Sequence, residues 1–131
     1  MKINWKLDLV LSLFGLFMAI GTVFFIPFQI EPFFWLVIFI LVAYLVAKYT
    51  LSGYFLNGIT IGILNSFWII AVHELFFDTY KSNHLEYFKS MPAGGMDPKL
   101  AMLVFGLLIG VVSGLVIGLF CFIAAKIMKK A

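Results

Sequence analysis

Apolar residues fill four long stretches of this chain, and polar residues interrupt them at turn-like intervals. The stretches cover about 7–26, 32–49, 57–77 and 98–128. Each is near or above the roughly 20 residues that carry an α-helix across the hydrocarbon of a bilayer. Pro27 closes the first, and Pro32 suits the first turn of the second. Ser52 and Gly53 mark the next turn. Asp97 and Pro98 pair a capping side chain with a proline at the first helical position. The first stretch is longer than the apolar core of a signal peptide, about 7–15 residues, and reads as a retained helix. The predicted fold class is all-α: an integral membrane four-helix transmembrane bundle, a single domain over 1–131. Its long outer loop is 78–97. A short interfacial helix fits 83–91, with Asn83 and Glu86 spaced as a capping box. It would be either a lid or an inert connection.

Composition agrees with four spans. Hydrophobic residues make up 64% of the chain and charged residues 11%. Soluble domains run at about 45–50% and about 25%, so a cytosolic enzyme, a disulfide-built module and a disordered tail are excluded. All nine basic residues are lysines, against six acidic residues, for a net charge of +3. The lack of arginine speaks against bidentate capture of phosphates or carboxylates. Lys2, Lys6, Lys48, Lys126, Lys129 and Lys130 fall on one side of the spans, and Lys81, Lys89 and Lys99 on the other. The excess predicts both termini in the cytoplasm and a multi-pass protein of a bacterial-type inner membrane. Nucleic acid is not an expected partner. Cys121 lies in an apolar run and reads as a packing residue.

Small residues give three of the spans a packing face. In the fourth, Gly106, Gly110, Gly114 and Gly118 recur every four residues. Such a glycine strip lets helix backbones approach closely. It serves either packing inside one bundle, a homo-oligomer interface or a pore lining. The third span carries Gly58, Gly62 and Ser66, with Asn65 alongside as interhelical glue or a ligand contact. The first shows Asp8, Ser12, Gly15, Ala19 and Thr22 at a 4-3-4-3 spacing, the period of left-handed packing, with Asp8 read as a capping carboxylate. The second has no comparable stripe and is expected to face lipid most.

Titratable groups concentrate at the outer end of the third span. His73 continues the inward face of Ser66, and Glu74 falls within the hydrocarbon, where an ionisable group is a functional candidate. Asn65, Ser66, His73 and Glu74 together outline a polar or ion path. His73, Asp78 and His84 offer ligand types for zinc or another divalent metal, although their spacing matches no strong signature. No cofactor is otherwise expected. An ion-paired cluster, Glu74 with His73 or Lys99, accounts for the same residues.

The expected function is therefore a self-associating scaffold or accessory subunit, not an enzyme, whose partners are the bilayer and further copies or another membrane protein. The alternatives are a small channel or proton-coupled transporter using the polar path, and a membrane-embedded metal-dependent enzyme.

Overall fold

The computed structural model describes residues 2–90 and 95–128, which form helices and, among themselves, no strand. The elements are α1 (Trp5–Phe24), α2 (Glu31–Tyr49), α3 (Tyr54–Leu75), α4 (Phe77–Asn83), α5 (Leu85–Ser90) and α6 (Pro98–Ile127). Of these, α1, α2, α3 and α6 are long and apolar enough to cross a membrane.

Local chemistry sets the helix ends. Asn4, not Asp8, caps α1: its Oδ1 accepts the Leu7 N–H at 3.2 Å. Asp97 caps α6, accepting from the Lys99 and Leu100 N–H groups at 2.9 and 3.3 Å. Gly53 turns the chain into α3 with φ 70°, a left-handed conformation that glycine adopts without penalty. In the loop between α3 and α6, the chain forms two short helices where one was expected over 83–91. Met91 lies outside the described residues. Asn83 does not cap α5; its Nδ2 donates to the Val23 carbonyl at 2.7 Å and ties the loop to the end of α1.

Helix α3 is the centre of the bundle. Its register with α1 is parallel. The Asn4 N–H donates to Asn57 Oδ1 at 2.8 Å, Trp68 Nε1 donates to Ser12 Oγ at 3.1 Å, and His73 meets Thr22 at 2.8 Å. The stripe read on the first span is the face that α1 buries: Asp8, Ser12, Gly15, Ala19 and Thr22 are all enclosed. Its register with α6 is antiparallel, in matched steps of four. A Cβ on Gly58 would fall on Gly118, one on Gly62 on Gly114, and one on Gly110 on Ser66. The glycine strip of α6 therefore seats α3 within the same chain, and Gly106 faces Ile70 of α3. An interface between copies would have to use a different surface.

Helix α2 is the least enclosed of the four. Its buried residues are Val42, Ala43, Val46 and Ala47, all in its C-terminal half. There the two alanines let it close against Ile61 of α3 and Ile117 and Cys121 of α6, in one apolar cluster. Its N-terminal half carries the bulky Phe33, Phe34, Trp35, Leu36 and Phe39. It does not close in the same way, and a cavity lies beside it.

Candidate functional site

The cavity occupies about 560 Å³ between the N-terminal half of α2 and the facing sides of α3 and α6. Its lining sorts by depth. At the end where α2 begins stand Glu31, Phe28, His73, Tyr80 and Tyr87. Asn65, Ser66 and Ser113 supply polar atoms further along the bundle, and Phe39, Val116 and Phe120 close the far end. The rest is Pro32, Trp35 and a set of Ile, Leu, Met and glycine. This volume is within the range of about 300–1,000 Å³ usual for small-molecule sites, as is a mostly apolar wall with a few polar groups.

Each polar group has a fixed role. Thr22 spends its one hydroxyl hydrogen on the Ala19 carbonyl at 3.0 Å. Thr22 Oγ1 also lies 2.8 Å from His73 Nε2 and accepts from it in the tautomer that carries the proton there. The Tyr80 ring lies between two imidazoles, 4.0 Å from His73 and 4.4 Å from His84. His84 Nδ1–H donates to the Tyr80 carbonyl at 3.0 Å, and its buried Nε2 has no partner among the described residues. Glu31 Oε1 accepts from Trp35 Nε1 at 3.2 Å, one helical turn along α2.

Burial, with Glu31 and Tyr87 nearby, raises the Tyr80 phenol well above its ordinary value. Burial and Glu31 raise Tyr87 in the same direction. Both phenols stay protonated near neutral pH. Glu31 is the one Asp, Glu, Lys or Arg in the lining, and among the described residues no lysine lies within ion-pair distance of it.

Deeper in the cavity, Ser66 Oγ donates to the Ile63 carbonyl at 2.7 Å, and Ser113 Oγ to that of Gly110 at 3.1 Å. Their hydrogens are committed to the helices, and their lone pairs remain. Asn65 differs: it is 3% exposed, and among the described residues neither amide atom has a hydrogen-bond partner. It is pressed against Gly15, where a Cβ would meet Asn65 Oδ1 at 2.5 Å. A buried amide without partners is costly, about 1–3 kcal/mol per unsatisfied group.

The polar path read from the sequence is thus brought together in part. Asn65, Ser66 and His73 line the cavity, and Glu74 does not. Glu74 Oε1 is buried without a partner among the described residues, and Lys99 Nζ instead sits 5.2 Å from the Phe77 ring. The metal set is not assembled. Tyr80 separates the two imidazoles, Asp78 is exposed, and among the described residues no group of three or more His, Cys, Asp and Glu is placed to hold a metal. Sequence reasoning missed Glu31, Trp35, Tyr87 and Ser113 as site residues. The available signal was the contrast along the second span, which has aromatic bulk in its first half and its only two alanines in its second.

Among known protein families, curated proteins and solved structures, none matches this chain.

Proposed function

We propose that this is a small multi-pass membrane protein that binds an amphiphilic molecule in the cavity between α2, α3 and α6. The observation that carries this reading is a largely apolar chamber of about 560 Å³ whose one end gathers Glu31, His73, Tyr80 and Tyr87. Such a chamber suits a ligand with a polar head and an apolar body. The reading narrows the transporter alternative and is favoured over a scaffold assembled through the α6 glycines, because α3 already fills that strip. The lysine distribution supports an inner-membrane location with both termini cytoplasmic. The polar end of the cavity would then belong to the outer half of the bilayer.

Photolabelling tests the reading. The protein is reconstituted in lipid nanodiscs with a long-chain alkanol carrying a diazirine, and the labelled residues are mapped by mass spectrometry. Adducts are expected on the cavity faces of α2 and α6. Ser113→Phe, which fills the chamber, should abolish them, and Val112→Phe, on the exposed face of α6, should not. Label spread evenly over lipid-facing residues and indifferent to Ser113→Phe would overturn the proposal.

A further inference from the structure

We infer that the cavity selects lipophilic organic cations, with a protonated amine or other ammonium head at the Glu31 end and an apolar tail toward Phe39 and Phe120. This inference rests on the binding reading above and assigns its ligand class. Three features of the site carry it.

The first is charge. Glu31 is the one formally charged side chain in the lining, apart from the imidazole of His73. It is held by a neutral donor, Trp35 Nε1 at 3.2 Å, and among the described residues no lysine neutralises it. His84 offers Glu31 no hydrogen bond: its Nδ1–H is spent on the Tyr80 carbonyl, and among the described residues its Nε2 has no partner.

The second is the aromatic surround. Phe28 and Tyr87 pair at 5.5 Å between ring centroids, and Trp35 donates to Glu31 itself. All three line the cavity, as does Tyr80. Aromatic faces around a carboxylate attract a cation through the ring quadrupole, which is strongest for Trp, and the attraction grows when the site is desolvated. The same walls offer nothing of this kind to a carboxylate or sulfate head, which Glu31 would repel.

The third is the division of the chamber. Phe39 and Phe120 meet edge to face at 6.3 Å at the far end, and Val116 lies on the same wall. No charged side chain lines that end. A ligand with charge at both ends would leave one of them unpaired. One cationic head on an apolar body fits both ends of the chamber.

The test uses three diazirine photolabels of equal chain length, an alkylamine, an alkanol and an alkanoic acid, with the full-length protein in nanodiscs of neutral lipid. The amine should label the cavity about tenfold more efficiently than the alkanol, the ratio that about 1.4 kcal/mol of preference gives. The acid should label it least. In Glu31→Gln, whose side chain can still accept from Trp35, the amine should label no better than the alkanol does in the same variant. Tetraphenylphosphonium should compete with the amine in the native protein but not in Glu31→Gln. Equal labelling by amine and alkanol, or an amine preference that survives Glu31→Gln, overturns the cation assignment and leaves the cavity as a binding site. Preferential labelling by the acid overturns it as well. If none of the three labels the cavity, the binding reading falls too.

Discussion

Gly62 of α3 and Gly114 of α6 meet backbone to backbone, so that a single Cβ on the first would fall on the Cα of the second. This contact repeats a helical turn away on either side, at Gly58 with Gly118 and at Ser66 with Gly110. In lipid there is little hydrophobic drive between helices, and close van der Waals packing holds them together instead. Gly62→Ala is therefore expected to destabilise the folded chain by at least about 1–3 kcal/mol, the usual cost of overpacking. Gly106→Ala meets only the Ile70 side chain and no backbone, and should cost less. Unfolding by SDS in mixed micelles, followed by far-ultraviolet circular dichroism, measures both. Equal effects would show that the α3–α6 contact is looser than the structure has it.

The link between His73 and Thr22 joins α1 to α3 at the end of the bundle where the cavity holds its polar groups. Thr22 is 2% exposed and His73 7% exposed, so neither has water as a ready substitute partner. Thr22→Val keeps the shape of the side chain and removes the acceptor for His73 Nε2–H. The stranded donor should cost about 1–3 kcal/mol in the same unfolding assay. The double variant Thr22→Val with His73→Phe should recover part of the loss, because both partners are then apolar. No coupling between the two sites would remove the hydrogen bond from the account of how the cavity wall is held.

Asp8 presents the opposite case. Its side chain is wholly enclosed, and neither carboxyl oxygen has a hydrogen-bond partner among the described residues. The group contributes burial cost without a compensating bond. Asp8→Val, close in shape and free of polar atoms, should raise stability by roughly 1–3 kcal/mol. Sites kept at the expense of stability are often functional, so the ligand-binding capacity of this variant is worth measuring in the photolabelling assay. A fall in stability would show that the carboxyl group has a partner after all.

The spans and their inner faces were legible because helical periodicity and small residues report directly on packing. Asp97, the α1 stripe and the glycine register all follow from i, i+3 and i, i+4 spacing, which a single chain displays. The cavity was not legible in that way. It arises because Ala43 and Ala47 draw one half of α2 inward while Trp35 and Phe39 in the other half leave space, and that outcome depends on what α3 and α6 present opposite. Glu31 read only as a marker of membrane side, since its partner Trp35 stands in an uninterrupted apolar run. Asp8 was misread as a helix cap because its position in the first turn suits the helix dipole. Asn4 holds that role, and only the structure shows Asp8 turned inward.

Orientation makes the last prediction, and it bears on where a ligand would enter. Lys48 ends α2 and Lys126 lies in the last turn of α6, at the end of the bundle where α1 begins. Lys81, Lys89 and Lys99 lie at the opposite end, with Glu31, Asp78, Glu86 and Asp97. Because loop lysines favour the cytoplasm, the turn at Ser52 should be cytoplasmic and Ser82 should be outside. Both positions are exposed, and the single native thiol, Cys121, is buried, so a Cys121→Ala background is clean for labelling. In intact bacterial cells a membrane-impermeant maleimide should modify Ser82→Cys within minutes and leave Ser52→Cys untouched until the membrane is opened. The reverse pattern would invert the topology. The polar end of the cavity, with Glu31 and Tyr87, would then face the cytoplasmic leaflet, and ligand supplied to cells from outside would have to cross the bilayer before it could bind.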